Sequence, residues 1–338
     1  MLDRAMQRPA RLPDDHPPVL LIVVDTEEEF PWDQPFSRAH TGTSTIPAQR
    51  IAHERIYDKF GIVPTYVVDW PVATTPEAYE SLRELMHAGR CEIGTHLHPW
   101  VSPPHDETVS TFNSYTGNLP AALEFEKLRM LTEAIEKNIG RRPTTFKAGR
   151  YGLGPNTAAA LAELNYLVDA SVVPHTAFTA DGGPDYSGFT EQPYWFGATD
   201  RPMLELPVTT GFHGLLRSQG AALYPILNSA PLRPLRAGGI ASRAGLLERI
   251  RLTPEGCSAD EMKRITRTLI GDGAQVLSMT YHSPSLVPGH TPYVQSQAAL
   301  QSFLAAIEET CAYFKTELGG SFMSITTLHA ALTKNRSE

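Results

Sequence analysis

Val19-Leu20-Leu21-Ile22-Val23-Val24 is a run of six apolar residues, rich in β-branched side chains and ended by Asp25. A run this short and apolar throughout reads as a strand covered on both faces, the condition of a strand inside a parallel sheet. Parallel neighbours need crossover connections, and the chain supplies helices for them. Residues 47–60 have helical spacing at Ile51, Ile56 and Phe60, and residues 62–68 read as a second strand. Thr75 and Pro76 open a helix that Gly89 closes. Strands at 91–95, 144–148, 167–173, 276–281 and 321–325 then alternate with helices at 123–138, 156–165, 259–270 and 294–318. The pattern predicts an α/β fold, a distorted barrel of about seven or eight strand–helix units.

Residues 1–17 are expected to be a flexible start, and 18–335 a single barrel domain. An irregular insertion is expected at about 180–256, where Gly, Pro and Arg are frequent and only 203–208 reads as a strand. Such a stretch is expected to carry substrate contacts. The 338 residues, 41% hydrophobic, suffice for one large core. A formal net charge of -8 opposes nucleic acid and anionic membrane surfaces as partners. No run of eighteen apolar residues exists, so no membrane span is predicted. Cys91, Cys257 and Cys311 are odd in number and scattered, and form no disulfide framework. Residues 1–18 are polar and lack the apolar core of a signal peptide, which predicts a cytoplasmic protein.

The strand at 91–95 leads into His96-Leu97-His98, with Pro99 after it. Side chains at i and i+2 of a strand share a side, so the two imidazoles can converge on one point. Two neutral imidazoles and a carboxylate suit a zinc-type ion. In a barrel of this kind the strand C-terminal ends form the site. Those ends carry Asp25-Thr26-Glu27-Glu28-Glu29, the histidine pair, Lys147-Ala148-Gly149-Arg150-Tyr151, Asp169 with Ser171, and His282. Each residue alone has an ordinary structural reading; their succession at strand ends points to chemistry.

In this order the motifs resemble the polysaccharide deacetylase superfamily (carbohydrate esterase family 4). The resemblance rests on Val23-Val24-Asp25-Thr26, Ile93-Gly94-Thr95-His96-Leu97-His98, Phe146 to Gly152, Asp169-Ala170-Ser171 and Leu277 to His282. The phrase from Tyr281 to Tyr293 resembles a bacterial subgroup associated with surface-polysaccharide biosynthesis. This chain has Thr26 where the family has a second aspartate, and Trp100 where it has the second histidine. Its arginine motif has an extra residue, so Lys147 or Arg150 takes that place.

The resemblance implies a hydrolase of carbon–nitrogen bonds other than peptide bonds, removing an N-acyl, typically acetyl, group from a sugar or sugar-containing precursor. It implies a divalent metal, zinc first, held by His96, His98 and either Asp25 or Glu27. Asp25, if left free, would act as general base. His282 would protonate the leaving nitrogen, oriented by Asp169, and Arg150 would pair with Asp25. Trp100, Tyr151 and Trp32 would form sugar-stacking walls, with His290 covering the site. The alternatives are a metal-independent amide or ureide hydrolase on the same fold, a two-carboxylate glycosidase and a non-catalytic carbohydrate-binding relative.

Overall fold

In chain order the strands are β1 (Arg8–Pro9), β2 (Val19–Thr26), β3 (Thr65–Val68), β4 (Glu92–Leu97), β5 (Thr145–Ala148), β6 (Val168–Asp169), β7 (Tyr194–Phe196), β8 (Met203–Glu205), β9 (Thr210–His213), β10 (Glu248–Arg251), β11 (Val276–His282) and β12 (Ser321–Phe322). The computed structural model describes residues 2–198, 201–232 and 234–336. All eight residues of β2 are buried, because β3 and β11 flank it in parallel. Parallel pairing continues through β4, β5, β6 and β8. The chain after β8 closes the ring irregularly. Leu206 and Val208 donate to the carbonyls of Asp169 and Val172, and Thr209 donates to Ser278. The Ser278 amide returns a bond to Thr209 Oγ1 at 2.7 Å. The result is the distorted α/β barrel that the alternation predicts. None of its described helices is long and apolar enough to cross a membrane.

The pleat sorts the barrel into two apolar layers. Val19, Leu21, Val23, Val67, Val168, Ala170, Leu204, Leu206 and Val276 form one cluster, joined by Ile325, Leu328 and Leu332 from the last helix, Ile325–Arg336. This is the barrel interior. Leu20, Ile22, Val24, Tyr66, Val68, Ile93, Leu97, Phe146, Ala148, Leu277, Met279 and Tyr281 belong to the other cluster, against the surrounding helices. Among these are the long helices Ala121–Ile139, Ala259–Gly271 and Gln297–Thr316. Ser258 and Glu261 cap the second reciprocally, and Gly140 ends the first at φ 94°.

Three expectations are revised. Residues 8–12 are part of the packed structure: Arg8 and Pro9 pair with Trp195 and Tyr194, and Ala10 and Leu12 are buried in the interior cluster, because apolar side chains at the barrel floor bury there. The stretch 180–256 is not wholly irregular. It contributes β8 to the barrel, β7 beside it, and an antiparallel β9–β10 pair. Its Gly and Pro content reflects short elements joined by turns. The helix at 47–60 is broken into a 3-10 turn, two short α segments and a π turn at His53–Tyr57.

Past β5 the chain makes a tight turn. Arg150 and Tyr151 both take positive φ, 53° and 60°, a region costly for side chains with a Cβ. Two glycines make the turn possible. Gly117 donates to the Gly152 carbonyl at 2.7 Å, and a Cβ on Gly154 would fall 2.3 Å from Gly117 Cα. Gly154 N donates to Thr157 Oγ1 at 2.9 Å, and that hydroxyl donates to buried Glu124. Gly154→Ala is expected to cost about 1–3 kcal/mol through backbone overlap. Gly239→Ala, in an exposed helix with open space around it, should be neutral or stabilising by up to about 1 kcal/mol. Urea unfolding midpoints check both.

Candidate active site

The same pleat aims the polar strand ends. Asp25 follows Val23 by two residues and faces the interior; Thr26 faces outward and turns its hydroxyl back to the Val24 carbonyl at 3.0 Å. That is why Thr26 does not stand in for a second aspartate. Glu27, just beyond the strand, returns to the Asp25 side. His96, Lys147, Thr280 and His282 occupy interior positions on their strands, flanked by outward Leu97, Phe146, Ala148 and Tyr281. His96 is in register with Lys147, and His282 with Asp25.

Glu27, His96 and His98 are buried, and one ligand-type atom from each lies within 4.8 Å of the others. Glu27 Oε2 is 3.4 Å from His96 Nε2 and 3.5 Å from His98 Nε2. Both Nδ1 atoms are already engaged. His96 Nδ1 donates to the Lys147 carbonyl at 3.0 Å. A carbonyl only accepts, so that hydrogen sits on Nδ1 and the Nε2 lone pair is free. His98 Nδ1 meets Glu28 Oε2 at 2.7 Å, and Trp100 Nε1 donates to Glu28 Oε1 at 2.8 Å. Carboxylate and carbonyl partners behind ring nitrogens are the usual outer shell of a metal site. Burial pushes His98 down to about 4 and also lowers His96, so both rings are neutral, as ligation requires. Burial also raises Glu27 and Glu28 to about 7. This donor set fits a divalent ion. Gly149 makes room for the His98 ring, since a Cβ there would lie 2.4 Å from it. Asp25 is outside the Glu27–His96–His98 cluster.

Asp25 is instead held by Lys147, whose Nζ is 2.5 Å from Oδ1 and 2.8 Å from Thr280 Oγ1. Burial alone would raise the Asp25 pKa; the charge of Lys147 first, with that of His282, outweighs it and holds the carboxyl below its ordinary value. Asp25 Oδ2 is 3.8 Å from His282 Nε2. His282 Nδ1 lies 2.7 Å from Glu255 Oε2, and the Glu255 carboxylate also accepts from the His282 amide and Ser285. Burial works against a charge on His282, but Glu255 and then Glu27 outweigh it and raise the imidazole well above its usual range.

Two expected pairings are corrected. Arg150 does not reach Asp25. It pairs with Asp181 and donates to Ser114 Oγ at 2.7 Å, its guanidinium 4.2 Å from the Tyr115 ring centre. The left-handed turn swings it to the cleft wall, and Lys147 takes the place beside Asp25. Asp169 does not orient His282. It sits between interior Val168 and Ala170, so it points outward, in register with Glu205 and accepting from Ser171 Oγ at 2.6 Å. Glu255 holds His282 instead. Sequence reasoning missed it because it lies in an irregular Pro-Glu-Gly stretch with no strand to place it.

The cleft, about 460 Å³, is lined by Asp25, Glu27, His96, His98 and His282, and walled by Trp32, Trp100, Arg150, Tyr151, Arg251 and Tyr293 among others. Trp100 stacks on His98 at 4.2 Å. Trp32 stands edge-on to His282 at 5.1 Å and to Tyr293 at 5.7 Å. Tyr151 lines the same space. His290 does not: it is half-buried in the loop after β11, with Nδ1 3.8 Å from Glu29.

The fold is the polysaccharide deacetylase-type distorted barrel. Among solved structures, the chain is similar to a Mycobacterium smegmatis protein assigned as a polysaccharide deacetylase, at 17% identity over 96% of each chain and TM-score 0.52. It is similar to Puue allantoinase at 15% identity, 95% and 91% coverage and TM-score 0.55. A Pseudomonas aeruginosa PAO1 protein assigned as a polysaccharide deacetylase gives 15% identity, 94% and 91% coverage and TM-score 0.53. No family model and no curated protein matches the sequence.

Lys147→Met would leave Asp25 buried without its cation. Unfolding in urea at neutral pH should show a loss of about 3–5 kcal/mol, much of it regained in the Asp25→Asn/Lys147→Met double variant. Arg150→Ala, which breaks a partly exposed pair with Asp181, should cost about 1 kcal/mol or less.

Proposed function

We propose that this protein is a metal-dependent hydrolase that removes an N-acyl group, acetyl first, from a sugar or sugar-containing precursor. The observation that carries the reading is the meeting, in one cleft, of the Glu27–His96–His98 cluster with Asp25 and His282. Glu27, His96 and His98 would hold the divalent ion, zinc by ligand type; when bound it supplies Lewis acidity and an activated water. Asp25 Oδ2 is the base that accepts the proton of the attacking water, its carboxylate kept ionised by Lys147. His282 Nε2, protonated and held from behind by Glu255, delivers a proton to the leaving nitrogen. As the carbon–nitrogen bond breaks, the amine departs neutral and the acyl group leaves as a carboxylic acid. Trp32, Tyr151 and Trp100 supply the apolar faces against which a sugar ring packs.

Neighbours on the same barrel include proteins assigned as polysaccharide deacetylases, which supports the reading at the level of fold. The resemblance of residues 281–293 to a surface-polysaccharide biosynthesis subgroup supports a glycan precursor as substrate. Residues 18–335 are read as one catalytic domain.

Purified protein is expected to carry about one equivalent of divalent metal by elemental analysis. His96→Ala should lose the metal and acetate release together. His282→Asn should keep the metal and lower kcat by about 10²–10⁴-fold. Full turnover by metal-free protein in the presence of chelator would overturn this mechanism and leave metal-independent amide or ureide hydrolysis in its place.

A further inference from the structure

Arg251 is a cation in the cleft wall that no carboxylate among the described residues answers. It ends β10 and is half-buried. Its Nη1 donates to Tyr151 Oη at 3.3 Å, and its guanidinium lies 5.3 Å from the Tyr151 ring centre. Among the described residues no aspartate or glutamate forms an ion pair with it. The chain has 37 acids against 29 Lys and Arg, so acids are not scarce. Arg150, in the same cleft, is tied to Asp181. Arg249, two residues back on β10, spends Nη1 on the His175 carbonyl and the Thr176 hydroxyl and lies over Tyr224.

A guanidinium has five N–H donors, and Arg251 gives one, at long range, to protein. Partial burial removes hydration that the contacts with Tyr151 replace only in part. A planar oxyanion in the cleft would replace it, through the paired N–H groups that suit carboxylate and phosphate. The location is informative too. Lys147 Nζ lies 5.4 Å from the same Tyr151 ring, so one aromatic ring links Arg251 to the Lys147–Asp25 pair.

We propose that Arg251, with Tyr151 Oη beside it, is an oxyanion subsite, and that the substrate is an acidic N-acyl sugar. Its carboxylate or phosphate lies on the acylated sugar or on the residue next to it. The proposal rests on reading this cleft as that of an N-acyl sugar hydrolase.

The test uses full-length metal-loaded protein and three matched substrates: a neutral N-acetylglucosamine glycoside, N-acetylglucosamine 1-phosphate and the N-acetylated amino-uronic acid. Wild type should prefer at least one acidic substrate by about 10- to 100-fold in kcat/KM, the range of a charged hydrogen-bonded contact. The preferred one identifies phosphate or carboxylate. Arg251→Met should abolish the preference by raising KM for the acidic substrate, with kcat little changed, and Arg251→Lys should keep part of it. The deacetylated counterparts are titrated calorimetrically in parallel, since their binding needs no turnover. Equal use of neutral and acidic substrates, with binding unaffected in both variants, overturns the subsite and leaves the hydrolase reading intact. Arg251-dependent binding of the acidic sugars without hydrolysis of any substrate supports the subsite and overturns the hydrolase reading. Neither turnover nor binding overturns both.

Discussion

Successive side chains on a β-strand point to opposite faces, and in this barrel that constraint decides which polar residues meet. Interior positions on β2, β4, β5 and β11 end in Asp25, His96, Lys147 and His282, and register lays them side by side. Outward positions one residue away hold Thr26, Leu97, Phe146, Ala148 and Tyr281, which pack toward the helices. Shifting any of these strands by one residue would send its functional side chain into the helix layer.

The cost of gathering so many ionisable groups in a buried cleft is met locally. Asp25 has Lys147 and Thr280 behind Lys147. His282 has Glu255, itself held by Ser285 and the His282 amide. His98 has Glu28, which is held by Trp100 and by Asp69 through its amide. Each pair leaves one atom facing the cleft: Asp25 Oδ2, His282 Nε2 and His98 Nε2. Half-satisfied groups of this kind are costly in a low-dielectric interior unless the surrounding shell fixes them, and here each has a second or third contact that does.

Apart from Arg251 at the end of β10, the cleft walls named above come from loops and turns. The left-handed turn at Arg150–Tyr151 and the close Gly117–Gly154 approach place Tyr151 beside Lys147 and Arg251. The aromatic loop after β2 brings Trp32 against His282 and Tyr293. The scaffold is a barrel shared in outline with proteins 15–17% identical to this chain.

The strand order and the polar strand ends are legible in the sequence because they depend on local signals. An apolar run such as Val19–Val24 has few ways to be buried, and i, i+2 spacing puts His96 and His98 on one side whatever surrounds them. The partners of these residues are not legible in that way. Asp169 sits at a strand end like the others, yet its position between inward Val168 and Ala170 turns it outward to Glu205. Glu255 lies 27 residues before His282 in chain with no regular element to place it. Lys147 and Arg150 are three residues apart, and a turn with positive φ sends one to Asp25 and the other to Asp181. The sequence by itself thus determined the barrel and the side chains offered at its mouth, since periodicity and burial are properties of short segments. Only the tertiary structure decided which charges pair, because register, strand closure and loop conformation bring together residues that no local pattern connects.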